Sequence, residues 1–228
     1  MTVTLTYHGH ACFSLFGGGY TIWLDPYLTD NPQADIELPE ITQADYILVS
    51  HGHGDHLGDA IPIARQTGAT IISNNEIAVH CEGQGVQAHG LHIGGGYKFP
   101  FGLVKMTIAH HGSCLPDGSY GGNPGGFLID VEEKRIYFAG DTGLFYDMKL
   151  LGEEKVIDIA LLPIGGNYTM DPHDALRAVQ LLGPKLVVPM HYNTFDVIQQ
   201  DPHAFAARVA EMSGVDAVVL VPGENLVL

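Results

Sequence analysis

The sequence predicts an α/β protein in which two mixed β-sheets pack face to face and helices cover their outer faces, an αββα sandwich. The order of elements predicts this fold, because strands are followed by strand–helix units and the succession occurs twice along the chain. The composition agrees, since 46% of the 228 residues are hydrophobic and only 16% are charged, which is enough to bury a large core. No linker or low-complexity segment interrupts the chain. We therefore expect a single domain over residues 1–228.

In the first half of the chain, short apolar or alternating runs predict five strands, at residues 2–6, 11–16, 20–24, 46–49 and 69–72. Three glycines at 17–19 mark a hairpin turn, and residues 31–40 carry two prolines and no period, which predicts a loop. Apolar residues at i, i+4 and i+7 predict a helix over 57–66, and a second helix is expected over 75–81.

The second half repeats this alternation, with strands predicted at 104–109, 127–131, 135–139, 157–162, 186–190 and 217–221. Glycines at 94–96 indicate a turn, and residues 115–126 are rich in Gly, Pro, Asn and Asp, which is typical of a loop. Two Asp-Pro pairs, Asp171-Pro172 and Asp201-Pro202, predict helix starts, because Asp caps a helix and Pro fits its first turn.

The charge, the cysteine content and the N-terminal sequence indicate the kind of partner and the compartment to expect. The formal net charge is −16, which repels nucleic-acid phosphates and anionic membrane surfaces. The three cysteines are scattered and odd in number, so no disulfide framework is predicted. Residues 1–13 lack the basic and apolar regions of a signal peptide, and no apolar run approaches the length of a membrane span. We expect a cytoplasmic protein that acts on a small molecule and binds neither nucleic acid nor membrane; homo-oligomerisation is left open.

The segment that follows the predicted strand 46–49 is the most informative in the chain. It places His51, His53, Asp55 and His56 within six residues, directly after a buried strand. Glycines at 52 and 54 allow the tight turn that such a loop needs. Neutral imidazoles and carboxylates are the usual protein ligands of zinc and its first-row neighbours. The segment therefore predicts a metal-binding loop.

Four further strand ends carry side chains of the same chemistry, namely Asp25, the pair His110-His111, Asp141 and His191. Active sites of layered folds gather where loops leave the strand ends at one edge. If these ends converge, they supply more ligands than one tetrahedral ion can use. The pattern thus predicts two divalent ions that share a carboxylate, as in two-metal hydrolytic sites.

The motifs resemble those of a known superfamily. Ser-His-Gly-His-Gly-Asp-His at 50–56 resembles the His-x-His-x-Asp-His signature of the metallo-β-lactamase superfamily, and Ala-Gly-Asp-Thr at 139–142 resembles its later Asp motif. His191, in Pro-Met-His-Tyr-Asn-Thr-Phe, resembles its last histidine. Tyr-His-Gly-His at 7–10, Leu-Pro-Ile-Gly at 162–165 and residues 140–148 are similar to a family of small metal-dependent hydrolases of bacteria and archaea, related to ascorbate-6-phosphate lactonase.

The resemblance implies a role for each matching residue. One ion is expected at His51, His53 and a member of the 110/111 pair, and the other at Asp55, His56 and His191, with Asp141 as the bridge. Asp25 matches a carboxylate that orients the metal loop. Of the pair, His111 is favoured because it stands beside Gly112-Ser113 as in the family, whereas His110 is expected to pack in the core.

These residues favour a hydrolase with two divalent ions, zinc first, with manganese or iron as alternatives. A metal-bridging hydroxide would cleave an ester, lactone or related small-molecule bond, and Asp55 would also orient it. Candidate groups on the substrate side are His8, His10, Asn193 and Thr194. Three alternatives remain: a phosphodiesterase or nuclease, which the charge disfavours; a diiron redox protein, whose relatives carry Glu where His53 stands; and a metal-binding module without turnover.

Overall fold

The computed structural model describes residues 2–212 and 214–228, over which the chain forms two mixed sheets of seven strands each. The first sheet comprises β1 (Thr4–Tyr7), β2 (Phe13–Gly17), β3 (Tyr20–Leu24), β4 (Tyr46–Leu48), β5 (Thr70–Asn74), β6 (Ala88–Leu91) and β14 (Asn225–Val227). The second comprises β7 (Gly96–Phe99), β8 (Gly102–Ile108), β9 (Gly125–Val131), β10 (Lys134–Phe138), β11 (Ile159–Pro163), β12 (Leu186–Met190) and β13 (Asp216–Ala217).

Both sheets have the same layout. The first runs β14-β1-β2-β3-β4-β5-β6 and the second β13-β12-β11-β10-β9-β8-β7. Strands β14 to β3 and β7 to β10 pair antiparallel, and each set then continues as a parallel ladder, β3 to β6 and β10 to β13. Parallel strands leave all their carboxyl ends at one edge, so each sheet has one edge from which several loops emerge.

Helices cover the outer faces, as predicted: α1 (Gly54–Leu57), α2 (Ala60–Thr67), α3 (Asn75–Gly83), α4 (Met148–Glu154), α5 (Pro172–Leu182) and α6 (Pro202–Ala210). One buried cluster joins Ile47 of the first sheet to Ile63 of α2 and Ile77 of α3. Between the sheets, the rings of Phe13 and Phe138 lie 6.4 Å apart. None of the helices in the described part of the chain is long and apolar enough to cross a membrane.

Some predicted elements are wrong in extent. The helix predicted over 57–66 is split into α1 and α2 at Gly58, whose backbone has φ +36° and where a Cβ would lie 2.5 Å from the carbonyl oxygen of Pro26. The turn predicted at 94–96 ends in β7, and the strand predicted over 217–221 ends at Ala217. After β13 the chain continues to a turn at Pro222-Gly223 and returns to the first sheet as β14.

The two Asp-Pro signals do start helices, and they allow a test of capping. The Asp171 carboxylate accepts a hydrogen bond from the backbone N–H of Asp174 at the start of α5, whereas Asp147, at the same position of α4, makes no such bond. We expect Asp171→Ala to lower the free energy of unfolding by about 1 kcal/mol. Asp147→Ala should change it by less than about 0.5 kcal/mol. Urea unfolding of both variants checks this, and equal losses would contradict it.

Candidate metal centre

The predicted ligands lie together where five strands end. Asp25 follows β3, the loop 49–56 follows β4, and His111, Asp141 and His191 stand just beyond β8, β10 and β12. The first two strands belong to one sheet and the other three to the second sheet. The expected convergence of strand ends is therefore observed, and the site lies where the two sheets meet.

One group of side chains, the first cluster, consists of His51, His53 and His111. One ring nitrogen from each lies within 4.8 Å of the others. His51 Nε2 and His53 Nδ1 are 2.9 Å apart, and the His111 ring centroid is 5.0 Å from that of His51 and 5.1 Å from that of His53. Three imidazoles so close together can ligate a single cation.

The second cluster consists of His10, Asp55, His56 and His191, again with one ligand atom of each within 4.8 Å of the others. Asp55 Oδ2 lies 3.8 Å from His191 Nε2 and 3.9 Å from His56 Nε2. It lies closer to His10, whose Nε2 is 3.1 Å away. His10 comes to this cluster from the loop after β1, a position that sequence reasoning placed on the substrate side.

Asp141 stands between the two clusters and contacts both. Its Oδ1 is 3.2 Å from His56 Nε2, and its Oδ2 is 3.0 Å from His191 Nε2 and 3.4 Å from His111 Nε2. The residue is 3% exposed. The two oxygens of this carboxylate thus face imidazoles of both clusters. This is the placement that a bridging ligand requires.

A buried network behind the loop fixes its imidazoles. Asp25, which is fully buried, accepts hydrogen bonds from the backbone N–H of Ser50 (2.7 Å), the Ser50 hydroxyl (2.5 Å) and His56 Nδ1 (2.6 Å). Because Ser50 gives its only hydroxyl proton to Asp25, its oxygen accepts from His51 Nδ1, 3.0 Å away. In both imidazoles Nδ1 is held from behind, so Nε2 is the nitrogen that faces the site. Outer hydrogen-bond partners orient metal-binding histidines in this way.

His10 is held differently. Burial, reinforced by the nearby charge of His191, lowers the pKa of His10 to about 4, so the ring is neutral. Its Nε2 donates to Asp55, which leaves Nδ1 to accept from the Thr194 hydroxyl at 2.5 Å. Both nitrogens are thus engaged, and His10 orients the Asp55 carboxylate within the second cluster.

Backbone conformation brings the two sheets close enough for these contacts. Gly140 has φ +58°, and a Cβ there would lie 2.8 Å from the Cβ of Ser50, so any other residue would push Asp141 away from the metal loop. His10 and His191 also adopt positive φ, at 58° and 57°. The backbone N–H of His191 donates to the carbonyl of His10 at 2.8 Å, which links the loops after β12 and β1. Unfavourable backbone at two residues that are not glycine, His10 and His191, is typical of a functional site.

The electrostatics of the site are those of a cation-binding centre. Burial opposes ionisation of Asp141, but the charges of His191 and His56 outweigh it and hold the pKa of Asp141 well below its usual value. Burial likewise opposes protonation of His191, yet the Asp141 charge raises its pKa to about 9. Burial lowers the pKa of His51 well below its usual value. Asp141 is therefore ionised and its negative charge favours a bound cation, while His51 is available as a neutral ligand.

Unpaired atoms provide a test of whether these residues fit a metal. Among the described residues, His56 Nε2, Asp141 Oδ1 and both ring nitrogens of His191 are buried without a hydrogen-bond partner, although some lie close to one another. Leaving buried polar atoms unpaired costs about 1–3 kcal/mol each. Metal ions would satisfy His56 Nε2, Asp141 Oδ1 and His191 Nε2, and the donor set of imidazoles and carboxylates suits zinc, manganese or iron. The residues fit the predicted ions.

Two sequence expectations are wrong. His110 is exposed rather than packed in the core, because β8 ends at Ile108 and its alternation stops there; its ring lies 5.1 Å from Phe145. His8 does not reach the clusters. It stacks on Trp23 at 4.7 Å, and its ring nitrogens bond Asp35 and Ser14.

The other two substrate-side candidates have structural contacts. The Asn193 side chain is exposed and accepts a hydrogen bond from the backbone N–H of Gln200 at 2.7 Å, so it closes a turn. Thr194 is buried beneath His10. Sequence reasoning instead missed the walls of the cleft, of about 860 Å³, that opens onto both clusters; they include Tyr27, Asp59, Tyr168 and Phe195. These residues come from separate loops. Phe195 ends the motif at 189–195, whereas the other three carry no sequence signal of a site.

Comparison with known proteins identifies the family. The β-lactamase superfamily domain matches residues 4–191. The chain belongs to this superfamily. Within the superfamily, the chain is 51% identical to a UPF0173 metal-dependent hydrolase of Heliobacterium modesticaldum, with 98% of this chain and 97% of that protein covered. It is 52% identical to a UPF0173 metal-dependent hydrolase of Carboxydothermus hydrogenoformans, over 98% of this chain and 99% of the relative.

A solved structure has the same fold. Igni18, a metallo hydrolase of the archaeon Ignicoccus hospitalis, superposes with a TM-score of 0.93 at 41% identity and covers 100% of this chain and 99% of its own. The chain thus belongs, with its bacterial relatives, to the metal-dependent hydrolases of the β-lactamase superfamily, and the predicted fold and family are confirmed.

Proposed function

We propose that this protein is a hydrolase that holds two divalent metal ions, zinc first, and cleaves an ester, lactone or related bond of a small molecule. The observation that carries the proposal is the position of Asp141, whose carboxylate lies within 3.0–3.4 Å of imidazoles from both clusters. A structural zinc site has no need of a carboxylate shared between two ligand groups.

The first cluster would hold one ion through His51, His53 and His111. The second would hold the other through Asp55, His56 and His191, with Asp141 shared between the two. His10 acts as a positioning residue here, since its Nε2 donates to Asp55. Manganese and iron are alternatives to zinc, because the same ligand set suits them.

Divalent ions in such a site lower the pKa of water towards about 7 and polarise a carbonyl oxygen. The chain's own part is to orient the water. Asp55 is suited to this role. Burial raises the pKa of Asp55, but the charge of His56 and the hydrogen bond from His10 to Asp55 outweigh that effect. The pKa of Asp55 is therefore low and its carboxylate is ionised. Hydrolysis forms a bond between the water oxygen and the acyl carbon and breaks the bond to the leaving oxygen. A water proton ends on that oxygen, which gives an acid and an alcohol.

The cleft favours a small molecule. Its volume of about 860 Å³ lies in the range of ligand pockets, roughly 300–1,000 Å³. The net charge of −16 disfavours a nucleic-acid substrate.

Metal analysis tests the number of ions. We expect two equivalents of zinc, manganese or iron per chain, and loss of esterase or lactonase activity when a chelator removes them. Added Zn²⁺ or Mn²⁺ should restore the activity, and chelator that is already saturated with Zn²⁺ should leave it unchanged. The melting temperature should fall on removal, because ligands that bind only the folded state stabilise it. One equivalent would contradict the binuclear site, and bound iron whose absorbance responds to oxygen would favour the diiron alternative.

A further inference from the structure

Aromatic side chains form the walls of the cleft beside the second cluster. The rings of Tyr27 and Phe195 both meet His10 edge-on, with centroids 5.6 and 5.4 Å away. Tyr168, 55% exposed, lines the same cleft further out. A molecule whose reacting bond lies at the clusters must place the rest of its structure against these rings.

The wall that carries Tyr27 is fixed in place. The Asp59 carboxylate accepts hydrogen bonds from the backbone N–H groups of Leu28 and Thr29 and from the Thr29 hydroxyl, at 2.7–2.9 Å. The Tyr27 hydroxyl donates to the carbonyl of Asp30 at 2.8 Å. The Tyr27 hydroxyl and the polar groups of Thr29 are therefore occupied within the protein, and Tyr27 offers a preformed apolar face to a ligand.

The same cleft contains no basic side chain. Among the described residues that line it, the charged ones are aspartates, and the imidazoles belong to the clusters; none is Lys or Arg. Basic residues gather instead at the opposite end of the second sheet. There Arg135 pairs with Asp130 at 2.8 Å, Lys155 with the same carboxylate at 3.2 Å, and Lys185 with Asp158 at 2.7 Å. These cations precede or begin β10, β11 and β12, whereas the site follows those strands.

We propose that the substrate is electrically neutral outside its reacting group and carries an aromatic or apolar body, and that it is not a phosphorylated or otherwise anionic metabolite. Arg and Lys pair with phosphate and carboxylate groups through charged hydrogen bonds, and neither lines the described part of this cleft. The aspartates of the cleft that are not assigned to the ions, Asp30 and Asp59, repel an anion instead. Aromatic rings gain most from contact with apolar or aromatic groups. This inference rests on the proposed hydrolase function.

Matched pairs of neutral and anionic substrates test the inference about substrate charge separately from the hydrolase proposal. In the first pair, the acyl chain of 4-nitrophenyl butyrate ends in a methyl group and that of 4-nitrophenyl hemisuccinate ends in a carboxylate. In the second pair, glucono-δ-lactone is neutral and its 6-phosphate carries an added phosphate group. With metal-loaded protein we expect kcat/KM to be at least tenfold higher for the neutral member of each pair. Equal values, or a preference for the anions, would overturn the inference and leave the hydrolase proposal standing.

Absence of turnover with all four compounds would count against the hydrolase proposal, and the inference is then decided by binding alone. 4-Carbamoylbenzohydroxamic acid and 4-carboxybenzohydroxamic acid both bind metal ions through the hydroxamate, and they differ only at the far end of the ring, where one carries a neutral amide and the other a carboxylate. In calorimetric titrations of the metal-loaded protein, the neutral amide should bind at least tenfold more tightly. Equal or tighter binding of the carboxylate would refute the inference.

Variants of Tyr168 test the aromatic wall. Because the Tyr168 side chain is exposed, we expect these variants to fold. Tyr168→Ala should raise KM for the butyrate ester several-fold with kcat little changed, and Tyr168→Lys should shift selectivity towards the hemisuccinate ester by about tenfold. Tyr146, 72% exposed and outside the cleft, provides the control, since Tyr146→Ala should leave both values unchanged. Identical behaviour of the two alanine variants would overturn the role assigned to this wall.

Discussion

Replacement of Asp141 by asparagine is expected to lower kcat/KM by about three orders of magnitude and to deplete the bound metal. Asparagine keeps the shape of the side chain but removes the charge that faces His56, His111 and His191. Metal ions contribute several kcal/mol to the stabilisation of a hydrolytic transition state, so loss of about 4 kcal/mol would lower kcat/KM roughly a thousandfold. Elemental analysis should show less than two equivalents per chain.

The matched control lies six residues further along the chain. Asp147 is exposed and its side chain does not cap α4, so Asp147→Asn should retain both the metal and full activity. Circular dichroism and a melting curve establish that the Asp141 variant folds. If that variant kept both its metal and its activity, Asp141 would not be shared between two ions, and the proposed function would lose its main support.

The second large effect is expected at Asp25, which touches no substrate. Asp25→Asn keeps the volume but cannot accept all the hydrogen bonds that the carboxylate accepts from Ser50 and His56. Loss of such outer partners typically lowers metal affinity by 10–100-fold. We therefore expect the metal dissociation constant to rise by about that factor, together with a stability loss of roughly 1–3 kcal/mol from donors left unpaired in the interior.

A control separates orientation of His56 from general stability. Asp45 also accepts a hydrogen bond from a backbone N–H, that of Thr21 at 2.7 Å, but lies at the start of β4 rather than at the site. Asp45→Asn should lower the melting temperature without a change in metal affinity. If Asp25→Asn behaved in the same way, its carboxylate would serve the fold alone.

Sequence reasoning succeeded where a local pattern dictates a local structure. The central strands were predicted because they are almost wholly buried, as in β11, where all five residues are buried. It missed β6 and β7, because each of these strands has a single buried residue, Leu91 in β6 and Phe99 in β7. No apolar period therefore marks them in the sequence. It also missed α4, whose only buried residue is Met148. Such elements are defined by pairing and packing with distant parts of the chain.

The same limit applies to the site. Residues of the metal loop adjoin one another in the chain, so their chemistry is visible in the sequence. His8 and His10, by contrast, follow the same strand and are alike in type, but only the left-handed backbone at His10 turns it towards Asp55. His110 and His111 differ in the same way, and their directions depend on where β8 ends. The rings of the cleft wall come from three separate loops, which only the folded chain brings together.

The pairing of β1 with β14 bears on biosynthesis. All other strands of the first sheet precede the second sheet in the chain, whereas β14 follows every strand of both. A ribosome makes the chain from its N-terminus, so the outer backbone edge of β1 stays uncovered until residues 225–227 have left the exit tunnel. Uncovered strand edges invite pairing with other chains. During most of its synthesis, the nascent chain therefore exposes a strand edge that is prone to aggregation, and we expect chaperones to protect this edge.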